Sequence, residues 1–94
     1  MMKNFIVEEK VKIKINNFEM DAYRIYLDRA DLSYLYLHVL KNRLLSSINL
    51  VFDLDYVYVN SEFISEFLED MKDINILVYT EKEHNAFLKL SNQQ

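Results

Sequence analysis

The chain contains no glycine, no proline, no cysteine and no tryptophan. Without cysteine there is neither a disulfide nor a thiolate metal centre, a composition suited to a reducing cytoplasm. A cytoplasmic location is therefore the expectation. Glycine and proline together make up roughly 12% of an average chain. Here every tight turn has to use Asn, Asp or Ser, whose short polar side chains tolerate left-handed backbone best after glycine. Asn16-Asn17, Asp28, Ser46-Ser47 and Asp73 stand where turns are needed. Phosphate-cradling loops and dinucleotide fingerprints need glycine so that backbone amides can approach the phosphate, and the sequence excludes them.

Long apolar runs are missing too. No stretch approaches the roughly 20 residues of a membrane helix, and Met1-Met2-Lys3-Asn4-Phe5 lacks the apolar core of a signal peptide. No membrane partner is expected. Eleven Lys and Arg against fifteen Asp and Glu give a net charge of −4. Nucleic-acid binders usually neutralise phosphates with a basic stripe, so the charge balance argues against a nucleic-acid partner. Lys10, Lys12 and Lys14 alternate with Val11, Ile13 and Ile15 and read as the wet face of a strand.

What is present is enough for one core. Of 94 residues, 51% are hydrophobic, which suits a single domain spanning residues 1–94. The alternation over 10–15 predicts a half-buried strand. Tyr23, Ile25 and Leu27 mark a second strand, joined to the first through Asn16-Asn17 by a loop expected to exceed two residues. Asp28 offers a helix N-cap for a Leu-rich segment over 29–46. The near-continuous apolar run 48–59 predicts one central strand covered on both faces. Asn60 caps the next helix, with Val59 and Ile64 as a hydrophobic staple. That helix sets Phe63, Ile64, Phe67, Leu68 and Met71 on one face and Glu62, Ser65, Glu66, Glu69 and Asp70 on the other. Residues 74–79 predict a buried strand, and 82–90 a last helix with Ala86, Phe87 and Leu90 inward. The order is β-β-α-β-α-β-α. It describes an α/β fold: a four-stranded mixed sheet with about three helices and parallel strand–helix–strand units.

Residues 48–68 carry an apolar strand ending in Asp53-Leu54, then Ser61, Phe63 and Glu66-Phe67 at a helix start. Upstream stands Leu27-Asp28-Arg29-Ala30-Asp31-Leu32. This pattern resembles STAS domains, the anti-sigma-factor-antagonist fold, and more closely a STAS-like family of unknown function. The resemblance implies a non-catalytic regulatory module that binds a protein partner, an ATPase- or kinase-type regulator as in regulatory STAS proteins. It implies docking through Asn60, Ser61, Glu62, Phe63 and Glu66, with Ser61 as the phosphorylation candidate. A phosphate is favoured at a helix N-terminus, where the aligned peptide dipoles leave partial positive charge. Asn60 stands where STAS domains have Asp, and Glu62 where they have their second serine.

Other constellations reduce to structural roles. Asp53-Leu54-Asp55-Tyr56-Val57 fits the first motif of haloacid-dehalogenase-type phosphatases, with Ile76-Leu77-Val78-Tyr79-Thr80 imitating the second. No downstream acidic pair remains to hold magnesium, which needs several oxygen ligands, so Asp53 and Asp55 read as a polar strand end. His38 and His84 lie on different helices without a serine or carboxylate partner in sequence. No catalytic residue, metal ligand or cofactor is assigned.

The first long helix carries more apolar surface than a sheet can cover. Leu32, Leu35, Tyr36, Val39 and Leu40 lie on one side, Leu37 and Leu44 on the flank, Tyr34 and Leu45 beyond; Asp31, His38 and Asn42 form a narrow polar stripe. Such a helix is buried on two sides or binds another chain. Tyr34, Leu37 and the neighbouring Lys41 are the second candidate docking set, with self-association as one outcome. An alternative starts from the acidic row Glu62, Glu66, Glu69 and Asp73. It makes the chain a small acidic inhibitor, of the kind phages encode, that blocks a nucleic-acid-handling complex.

Overall fold

The structure, a computed structural model, describes residues 4–42 and 49–92. Among them run β1 (Phe5–Ile6), β2 (Val11–Ile15), β3 (Phe18–Tyr26), α1 (Arg29–Asn42), β4 (Leu50–Phe52), β5 (Tyr56–Asn60), α2 (Ile64–Asp73), β6 (Tyr79–Thr80) and α3 (Glu81–Ser91). A short 3-10 turn, Ser61–Phe63, leads into α2. The α/β class, the mixed sheet and the three helices agree with the sequence reading. Among the described residues the sheet has six strands instead of four.

β3 is the axis of the sheet. One edge pairs antiparallel with β5, Ala22–Tyr26 against Asn60–Tyr56. The other edge is shared: β2 lies along Phe18–Ala22 and β1 along Ile25–Tyr26, both antiparallel. β4 extends the sheet beyond β5, and β6 pairs with β1. That last pair alone is parallel among the described strands, a correction to the expected parallel units.

The correction has a local cause. The expected central strand over 48–59, whose first residue lies outside the described residues, is instead a hairpin: β4 (Leu50–Phe52) and β5 (Tyr56–Asn60) pair antiparallel. Asp53-Leu54-Asp55 interrupts the apolar run with two carboxylates that resist burial without partners. The Asp53 carboxylate accepts the Leu54 N–H at 2.8 Å, and the Asp53 N–H donates to the Tyr56 carbonyl at 2.9 Å, which closes the turn. The stretch β3-α1-β4-β5-α2-β6 is then a split strand–helix–strand arrangement, with β1 inserted between β3 and β6.

Asparagine takes the left-handed turns. Ile15 opposes Phe18, so the β2–β3 loop is just Asn16-Asn17, shorter than expected, with Asn16 at φ 55°. At the end of α2 the left-handed residue is Asn75, φ 61°, and not the expected Asp73. The Asn75 N–H donates to the Lys72 carbonyl at 3.0 Å and the Ile76 N–H to the Met71 carbonyl at 2.9 Å. This is the Schellman pattern of helix termination, with Ile76 and Met71 both in the core. Ending the helix uses the start of the expected strand 74–79, and only Tyr79–Thr80 pairs.

Opposed residues of an antiparallel pair point to the same side. Ile25, Leu50, Val57 and Val59 therefore share one face of the sheet. There they bury with Leu27, with Leu35 of α1, with Phe67 and Met71 of α2, and with Ile76. The expected inward face of α2 is as observed, since Phe63, Ile64 and Leu68 pack against the same cluster. Helix α3 is different. Phe87 is half-buried, but Ala86 and Leu90 are exposed, against expectation. The helix docks at the sheet edge through His84, stacked on Phe5 at 3.9 Å. A capping box between Thr80 and Glu83 starts it. No helix among the described residues is long and apolar enough to cross a membrane.

Candidate docking surface on helix α1

The site is built from the start of α1. The Asp28 carboxylate accepts the Asp31 N–H at 2.8 Å, the cap expected from sequence. A residue that sequence reasoning missed holds this cap in place. Asn4 is 3% exposed. Its Oδ1 accepts the Asp28 N–H at 2.9 Å; its Nδ2 donates to Asp31 Oδ2 at 2.6 Å and to the Leu77 carbonyl at 3.2 Å. Its own carbonyl accepts the Tyr79 N–H at 3.0 Å. One buried amide thus ties β1, α1 and the strand before α3 together. Buried polar groups persist where they are fully paired in this way. No periodicity marks such a residue; an isolated Asn before a strand is its only signal.

Helix α1 spends little of its apolar surface on the core. Leu35 is buried, and Leu32 and Val39 pack against the cluster. Tyr34, Leu37 and Leu40 stay outside, exposed by 54%, 63% and 59%. Tyr36 and Leu40, grouped in the sequence reading with Leu32, Leu35 and Val39 on one side, both face solvent; Tyr36 meets Phe52 edge-on at 5.3 Å. Tyr34 stacks on His38, ring centroids 6.4 Å apart. Two shallow concavities follow this flank. One of 690 Å³ is lined by Tyr34, Leu37, His38, Leu40 and Lys41. The other, 420 Å³, lies between α1 and β4 and includes Tyr36, Leu37 and Phe52. Leu37 belongs to both. The expected Leu44 and Leu45, and the side chain of Asn42, lie outside the described residues.

The second candidate set sits at the start of α2. Asn60 Oδ1 accepts the Glu62 N–H at 3.1 Å, so it caps the 3-10 turn and α2 proper begins at Ile64. Asn60 Nδ2 donates to Asn49 Oδ1 at 3.2 Å. Ser61 is half-buried, and Glu62 and Glu66 are exposed. Phe63 is half-buried and packs against the core. The concavities along α1 include Tyr34, Leu37 and Lys41 but none of this second set. Glu62, Glu66, Glu69 and Asp73 are exposed as expected, with Lys72 Nζ 3.9 Å from Glu69. Asp53 and Asp55 are exposed in the β4–β5 turn. Among the described residues no group of three or more His, Asp or Glu side chains is placed to hold a metal ion.

Compared with protein families, characterised proteins and solved structures, the chain matches none of them.

Proposed function

We propose that this chain is a non-catalytic protein-interaction module and that the outer flank of α1 is its docking surface. The observation that carries the proposal is the exposure of Tyr34, Leu37 and Leu40 side by side on a helix whose opposite face is already in the core. Burying a leucine is worth about 1.5–3 kcal/mol, so a partner covering Leu37 and Leu40 gains what the monomer leaves unused.

The partner proposed first is a second copy of the chain. A two-fold pair uses the same patch twice. With the two α1 helices antiparallel and crossing between Leu37 and His38, Tyr34 meets Lys41 of the second copy. That is a cation beside an aromatic face. A helix of 14 residues is about 21 Å long and about 10–12 Å across. Its footprint falls well short of the roughly 800 Å² per partner of a standard interface, so the dimer is weak and exchanging. Sedimentation equilibrium over a wide concentration range tests this. The weight-average mass should rise towards two chains at high micromolar concentration, and Leu37→Ser should abolish the rise. A wild-type chain that stays monomeric throughout contradicts the proposal.

Regulation through phosphorylation of Ser61 by a kinase-type partner has only the resemblance to STAS-like proteins behind it. The acidic row on α2 is what a solvated helix face ordinarily shows, and it adds no separate support for an inhibitor of nucleic-acid-handling complexes.

A further inference from the structure

The face of the sheet turned away from α1 and α2 carries a row of rings. Phe5 opposes Tyr26, Tyr26 opposes Tyr56, and Arg24 opposes Tyr58, so all five point to this side. The rings adjoin one another across three neighbouring strands: Phe5 to Tyr26 at 5.4 Å, Tyr26 to Tyr56 at 5.8 Å and Tyr56 to Tyr58 at 6.3 Å. His84 extends the row by stacking on Phe5. The Arg24 guanidinium lies over the Tyr56 ring, 5.9 Å from its centroid. Arg24 has no ion pair among the described residues, and its Nε is buried without a hydrogen-bond partner, as is Nδ1 of His84.

We propose that this row is a stacking platform for single-stranded nucleic acid, gripped by rings and one guanidinium. Bases stack on aromatic side chains and on guanidinium planes, and this stacking tolerates any sequence because every base has a π-face. An arginine without a carboxylate partner has donors to spare for a phosphate. The net charge of −4 excludes tight binding through many phosphate contacts, but it is not spread evenly. Glu62, Glu66, Glu69 and Asp73 stand on the outer side of α2, which packs on the opposite face of the sheet. Near the rings Asp53 accepts a long hydrogen bond of 3.5 Å from the Tyr58 hydroxyl, and the exposed Asp55 and Glu83 directly precede Tyr56 and His84. Binding is therefore weak and depends little on salt. One phosphate contact gives a log–log salt slope of about −0.7 for a single strand, or about fivefold weaker binding for a tenfold rise in salt. This surface lies on the face of the sheet away from α1 and meets the concavity beside α1 at Asp53, and neither proposal depends on the other.

The test is fluorescence anisotropy of labelled octamers of deoxythymidine and of uridine, titrated with the full chain. Quenching of tyrosine emission is a second readout, since the chain has no tryptophan. Saturable binding of both octamers with the shallow slope is expected, and duplex should bind much more weakly. Tyr58→Ala and Tyr56→Ala should each weaken binding about tenfold or more, in keeping with the cost of losing one stacked base. Tyr58→Phe should retain it, and Arg24→Ala should flatten the salt dependence; circular dichroism checks that each variant folds. Four results would overturn the proposal: no binding at about 1 mM protein in low salt, equal affinity for duplex, a steep salt slope, or indifference to Tyr58→Ala in a folded variant.

Discussion

Helices α1 and α2 pack on the same face of the same sheet, and they treat their apolar residues differently. Helix α2 divides cleanly, with Phe67 and Met71 buried and its glutamates outside. Helix α1 buries Leu35, leans on Leu32 and Val39, and leaves Tyr34, Leu37 and Leu40 in solvent. Stability explains all of the apolar residues on α2 and only part of those on α1. The excess is the ground for the docking surface proposed on α1.

Substitutions can sharpen or break this contrast. Phe67→Ala should cost about 3–5 kcal/mol in urea unfolding, since the ring is fully buried. Leu37→Ala, on the exposed flank, should change stability by no more than about 0.5 kcal/mol. Similar losses at the two sites would erase the distinction between the helices. Asn4→Ala should fall between them, at about 2–3 kcal/mol, because it leaves the Asp28 N–H, the Asp31 carboxylate and the Leu77 carbonyl short of partners. A loss below about 0.5 kcal/mol would show that α1 does not need this anchor.

The smallest effect concerns α3. Hydrogen bonds from the Thr80 backbone and side chain hold the Glu83 carboxyl below the ordinary carboxylate range. A carboxyl with a depressed folded pKa stabilises above its unfolded value, and the benefit is lost as pH falls through the folded value. Acidification below the ordinary carboxylate range should therefore fray the start of α3, read as loss of amide protection at Glu83. In Glu83→Gln that acid-dependent step should be absent.

The sequence shows α2 clearly because its 3.6-residue alternation is strong and its polar face is all charged or small. The Asp28 cap was equally legible from side-chain chemistry. The hairpin inside 48–59 was not. Turns usually announce themselves through glycine and proline, and with neither present Asp53-Leu54-Asp55 reads as a strand end. Taken as uniformly apolar, the run also conceals its own alternation, in which Val57 and Val59 point inward and Tyr56 and Tyr58 outward. Asn75 escaped for the same reason as the hairpin: Asn, Asp and Ser all compete for turn positions here. The half of the candidate surface on α1 followed from counting apolar residues around a helix. At the start of α2, Phe63 packs against the core, in line with its place on the apolar face of that helix pattern.

The most direct test of the α1 docking surface is a concentration series of backbone amide NMR spectra. As the chain is raised from micromolar to millimolar, the amides of Tyr34, Leu37, Leu40 and Lys41 should shift together along one saturable curve, while those of Glu62, Glu66 and Glu69 on α2 stay still. An α1 flank that is silent across the series, or shifts confined to another surface, would contradict the account.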